Sequence, residues 1–147
     1  MSIPFRLLDA DVLIDWLGEV EDPAFERASQ GAFVLIPFVA VIEMERRLRE
    51  LLASRQLHPF EEDELRARLD DQEAEILYPD RDTARDLIER MKASYRAQSE
   101  ANTYCEWLRV LAVAVRRTGA DDVRVLTRSP FVAELLGEDA ILLVQTS

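Results

Sequence analysis

The stretch Leu7-Leu8-Asp9-Ala10-Asp11-Val12-Leu13-Ile14-Asp15 decides how this chain is read. An apolar, strand-like lead-in from Ile3 to Leu8 ends in a carboxylate, and a helix-like stretch from Val12 to Leu17 follows at once. In an open α/β sheet, ligands and metals bind at the carboxyl ends of the strands. A charge delivered there by an apolar strand is costly unless something uses it. Asp9 is therefore the first candidate for chemistry, as a ligand for a hard divalent cation.

The rest of the chain repeats this strand-then-helix alternation. Five short apolar runs read as strands: Phe5–Leu8, Phe33–Ile36, Glu75–Tyr78, Val123–Thr127 and Ala140–Val144. Asp22-Pro23 reads as a helix cap followed by proline at the first helical position. Pro37 and Asp80 open two further helices, and Gly119 ends the longest apolar one, as glycine commonly does. The alternation predicts one domain over residues 1–147, a three-layer α/β/α sandwich around a five-stranded, mostly parallel sheet.

Two helical stretches carry charges in apolar company. One runs from about Phe38 to Ser54 and opens Val39-Ala40-Val41-Ile42-Glu43-Met44. The other runs from about Thr103 to Thr118, with Glu106 and Arg109 its only charges before Arg116. Helices that are apolar all round are usually buried. By contrast, the acid- and arginine-dense run Glu61 to Glu75 reads as a solvated surface helix or helical hairpin arm.

Asp9, Glu43 and Glu106 thus form a candidate set of catalytic and metal-binding carboxylates. Converging carboxylates repel, so such a site takes a cation or raises its pKa values. Mg²⁺ or Mn²⁺ suits an all-oxygen site. A metal-bound water beside a phosphodiester is a ready nucleophile, which points to metal-assisted hydrolysis. Each acid also has a purely structural reading. Asp9 or, with more reason, Asp11 caps the first helix; Asp15 is solvated. Glu43 pairs with Arg46 or Arg47, and Glu106 pairs with Arg109. Ser129 caps a helix beginning at Pro130, and Cys105 is a small buried hydrophobe.

Composition bounds the partners. The chain has 147 residues, 48% of them hydrophobic, enough for one real core. No apolar run approaches the roughly 18 residues of a membrane span, and no signal-peptide pattern opens the chain, so no membrane association and a cytoplasmic location are expected. A lone cysteine excludes an internal disulfide, and Cys105 with His58 does not make a zinc site. The net charge of −11 argues against nonspecific nucleic-acid binding. Bound metal ions can invert the local charge of an acidic pocket, which leaves an RNA substrate open. All basic residues but Lys92 are arginines, planar donors suited to phosphate.

The same motifs resemble a known family. Leu7 to Asp15 looks like the opening of PIN domains, where an apolar strand ends in Asp and an apolar helix follows. Leu35-Ile36-Pro37-Phe38-Val39-Ala40-Val41-Ile42-Glu43 resembles the family's second strand and the helix that carries a metal-binding Glu. Val123-Arg124-Val125-Leu126-Thr127-Arg128-Ser129 is similar to its fourth strand and Thr-x-Asp ending. The resemblance covers essentially the whole chain. It implies a Mg²⁺- or Mn²⁺-dependent ribonuclease, similar to the toxin half of toxin–antitoxin pairs, with an antitoxin protein as partner and homodimerisation. It places metal on Asp9 and Glu43. Glu106 lies one or two residues from the family's third acid, and Ser129 stands where the fourth would be.

These departures imply a second function, a degenerate, non-catalytic PIN-like interaction or scaffold module. A third is a phosphatase of the haloacid dehalogenase type, whose nucleophile motif Asp9-x-Asp11 matches. Val12 in place of its usual glycine, and the lack of a later Gly-Asp-x-x-x-Asp element, count against it.

Overall fold

The computed structural model describes residues 3–71, 75–85, 89 and 100–144. Its elements run β1 (Phe5–Leu8), α1 (Ala10–Leu17), α2 (Pro23–Ser29), β2 (Phe33–Pro37), α3 (Phe38–Ala53) and α4 (Pro59–Asp71). Then follow β3 (Glu75–Leu77), α5 (Glu100–Arg116), β4 (Val123–Thr127), α6 (Pro130–Leu136) and β5 (Ala140–Leu142). The strands form one sheet in the order β3-β2-β1-β4-β5. Every adjacent pair is parallel, with Leu7 opposite both Leu35 and Val125 and Leu8 opposite Leu126. The expected α/β sandwich is therefore the observed one, and its sheet is wholly parallel among the described residues.

The period-two alternation of each strand splits the core in two. Leu7, Leu35, Val123 and Val125 face one way and pack with Leu108, Leu111 and Ala112 of α5 and with Val132 and Leu136 of α6. Leu8, Ile36 and Leu126 face the other way and pack with Val12, Leu13 and Leu17 of α1 and with Ala40, Met44 and Leu48 of α3. Leu7, Leu8, Leu13, Leu108 and Leu126 are fully buried. Each such leucine is worth about 1.5–3 kcal/mol relative to an exposed one. The acid-rich α4 is less free than expected, since Leu65 anchors it to the second core.

Boundaries differ where side chains decide them. Helix α1 starts at Ala10 rather than near Val12, because Asp9, not Asp11, is its cap. Ser129 caps α6 and Asp22 caps α2, each followed by proline as expected. Asp80 accepts the Thr83 N–H and opens a helical turn at residues 81–85. Gly119 follows α5 at φ +101°, a conformation side chains disfavour. Residues 72–74, inside the acidic run, lie outside the described residues. Among the described residues no helix is long and apolar enough to cross a membrane.

Candidate functional site

Asp9 sits at the carboxyl end of β1, the middle strand. Its N–H still donates to Leu126 O (3.0 Å), so the backbone stays in the β1–β4 ladder while its carbonyl already accepts from Leu13 in α1. This places the side chain between the sheet edge and the first turn of α1. The residue is 4% exposed. A carboxylate so buried needs donors, and the surrounding elements supply three. The Ala10 N–H donates to Oδ1 (2.7 Å), the Thr127 hydroxyl to Oδ2 (2.6 Å), and the Tyr104 hydroxyl to Oδ1. Thr127 Oγ1 in turn accepts from Ser129 N (3.0 Å), and Tyr104 Oη from Ala10 N (3.2 Å). Burial, then the negative charge and hydrogen bond of Asp9, push the Tyr104 phenol well above its ordinary pKa. Tyr104 is therefore a fixed neutral donor.

Glu43 reaches the same place from the second turn of α3. Asp9 and Glu43 line one cavity of about 280 Å³, together with Arg46, Arg47, Tyr104, Cys105 and Ser129. The two leading candidates are thus brought together. Glu43 is not free, however. Arg46 Nε lies 3.1 Å from both its oxygens, and Arg47 Nε lies 3.5 Å from Oε1. Arg47 also reaches across to α1, its Nη1 2.8 Å from Asp11 Oδ1. Burial raises the Asp11 pKa; Arg47 opposes this, and the like charges of Asp9, Asp15 and Glu43 add to it.

Glu106 is not among the residues lining this cavity. Its carboxylate pairs with Arg109 one turn along α5 (2.8 Å), the structural alternative weighed from the sequence. Ser129 spends its hydroxyl oxygen on the Val132 N–H as the α6 cap (3.3 Å). Asp15, expected to be solvated, instead takes a hydrogen bond from Arg128 Nε (2.8 Å). Arg128 also bonds Asp22, and this ion-pair cluster walls a second cavity of about 290 Å³ beside Trp16 and Phe25. Cys105 is buried as expected; burial and then the Asp9 charge push its thiol up to about 11.

A hard divalent cation needs several oxygen ligands with lone pairs to spare, in near-octahedral order for Mg²⁺. Here both Asp9 oxygens already accept from the protein, and Asp11 and Glu43 are held by guanidinium groups. Among the described residues, no group of three or more His, Cys, Asp or Glu side chains is placed to share a metal. In this arrangement the donor set does not fit Mg²⁺ or Mn²⁺.

The sequence reading missed Tyr104, Thr127 and the bridging role of Arg47. Tyr104 was legible only as part of an apolar helix face, at i, i+4 and i+7 with Leu108 and Leu111. Nothing in the spacing says that its hydroxyl meets a residue 95 positions away. No protein-family model matches the chain, and no curated protein matches it.

Proposed function

We propose that this chain is a non-catalytic, PIN-like interaction module. The observation that carries the reading is that both Asp9 oxygens accept hydrogen bonds from the protein, from Ala10, Tyr104 and Thr127. A carboxylate kept for a hard cation turns free lone pairs toward it. This one is built into the joint between β1, β4, α1 and α5, where it serves the fold. Exposed aromatic surface supports an interaction role. Tyr78 is 67% exposed and stacks on Phe38, which meets Trp107 edge to face. Ile42, one turn beyond Phe38 on α3, is 61% exposed. Exposed apolar groups that adjoin one another are candidates for a contact surface. The partner is a protein; a second copy of the chain or an antitoxin-like protein both fit that description.

A second reading keeps the metal-dependent ribonuclease, with Asp9 and Glu43 as ligands. The observation in its favour is that both acids line one cavity at the carboxyl edge, beside two arginines able to hold phosphate. Glu106 takes no part in it unless its pair with Arg109 opens.

Incubation of the purified protein with single-stranded RNA in millimolar Mn²⁺ or Mg²⁺ separates the two. The module reading expects no cleavage above that of an Asp9→Asn control. Metal-dependent cleavage that the control lacks would establish the nuclease. Sedimentation of the parent against Ile42→Glu then reads the contact surface: a self-associating protein should become monomeric.

A further inference from the structure

We propose that the cavity between α1 and α2 receives the guanidinium of an arginine side chain presented by a partner polypeptide. The inference rests on the reading of the chain as an interaction module, and it gives that module a second contact surface with a defined chemistry.

Three observations carry it. The first is the make-up of the walls. The cavity, about 290 Å³, lies where α1 ends and the chain turns into α2. Trp16 and Phe25 supply aromatic surface, both only partly buried, and Val20, 51% exposed, supplies an apolar lip. A guanidinium is planar, weakly hydrated and attracted to aromatic faces. The second is charge. Five carboxylates and one guanidinium line the cavity. That guanidinium, Arg128, is already spent on Asp15 and Asp22. Glu19, Glu21 and Glu26 are exposed and have no ion pair among the described residues. The charge left over is therefore negative and open to solvent. The third is contrast. The carboxyl-edge cavity sets Asp9 and Glu43 against Arg46 and Arg47, and a cavity beside Pro79 sets Asp80 against Arg81 and Arg85. An excess of carboxylates beside aromatic rings belongs to the α1–α2 cavity and does not follow from the net charge of −11 alone.

The same facts select among cations. Among the described residues no three acids are placed to share a metal ion, and a small, strongly hydrated ion gains nothing from apolar walls. The ammonium of lysine is also compact and strongly hydrated. A guanidinium can lie against a ring and still donate from its edge to a carboxylate.

The test is titration of the protein with the capped tripeptide acetyl-Gly-Arg-Gly-amide, read at the Trp16 indole N–H by NMR and assigned with Trp16→Phe. The arginine peptide should shift this signal, and its citrulline counterpart, of the same shape without the charge, should bind several-fold more weakly. Phe25→Leu, which keeps apolar bulk and removes the ring, should weaken binding about two- to fivefold, the equivalent of the ~0.5–1 kcal/mol of an exposed cation–π contact. Glu19→Gln/Glu21→Gln should weaken it by a similar factor, and as a surface change it keeps the test valid should Phe25→Leu fail to fold. Glu134→Gln/Glu138→Gln removes two exposed acids in and just beyond α6, on the other face of the sheet, and should change nothing. Equal binding of the citrulline peptide, no shift at Trp16, or an equal loss in Glu134→Gln/Glu138→Gln each overturns the proposal. Tighter binding of spermidine than of the arginine peptide overturns it too, in favour of a free polyamine. RNA cleavage and the sedimentation of Ile42→Glu are read separately, so failure here leaves the module reading standing, and the reverse holds too.

Discussion

Replacement of Asp9 by asparagine decides what that carboxylate is for. An amide keeps one acceptor and turns the other oxygen into a donor. Set with its oxygen at the Oδ1 position, it retains the bonds from Ala10 and Tyr104, now to a neutral acceptor. Hydrogen bonds to charged groups are worth about 1.5–3 kcal/mol against about 1 for neutral pairs, so these two lose roughly 2 kcal/mol together. The new NH₂ faces Thr127 Oγ1, which already accepts from Ser129 N, so the Thr127 hydroxyl proton loses its acceptor. Thr127 is fully buried, and an orphaned buried donor costs about 1 kcal/mol or more. Relief of like-charge repulsion returns about 1 kcal/mol, limited because Arg46 and Arg47 already offset Glu43. The net expectation is a loss of about 2 kcal/mol, or roughly 6 °C in Tm for a chain of this size. Urea unfolding and thermal melts of parent and variant in EDTA at pH 7 measure it. Tyr104→Phe, which deletes one of the three donors and no charge, should fall between the two. An Asp9→Asn protein as stable as the parent, or more so, would refute the reasoning and return Asp9 to the role of an apo metal ligand.

Arg128→Met should cost about 3 kcal/mol in urea unfolding, because it leaves Asp22, 8% exposed, without its cation; an unchanged midpoint would show that the α1–α2 cluster is not held by charge. Cys105 should resist iodoacetamide at neutral pH. With the thiol near 11, the labelling rate should climb about tenfold per pH unit above pH 8, and fast labelling at pH 7 would contradict the burial described. Acid should destabilise the fold below about pH 4. The Arg6 hydrogen bonds hold Asp122 below the ordinary carboxylate pKa; at Asp22, burial is outweighed by bonds from Arg128 and the backbone. Their stabilisation is thus full above the unfolded-state value and lost as pH falls through the depressed one. Asp11, raised, works the other way, its penalty growing as pH rises through the ordinary value. Asp122→Asn should flatten the acid limb of a stability–pH curve, and an unaltered limb would remove Asp122 from the account.

The fold class was legible because it depends on patterns the chain carries locally. Apolar runs of four or five residues alternate with helical stretches, caps such as Asp22-Pro23 and Ser129-Pro130 mark helix starts, and parallel pairing follows from the alternation. The placement of Asp9 at the edge of the central strand was legible for the same reason, as was the meeting of Asp9 with Glu43, since both follow strands at their carboxyl ends. Pairing between charges was legible only within a helix, where Glu106 and Arg109 or Glu43 and Arg46 stand one turn apart. What each acid finally touches was decided by tertiary structure. Tyr104, Thr127, Arg47 and Arg128 reach their carboxylates across gaps in sequence that no periodicity encodes. Whether a buried carboxylate waits for a metal or is spent on the fold turns on a few hydroxyl and guanidinium groups placed to within about an ångström. Only the packing of α1, α3 and α5 against the sheet fixes those positions.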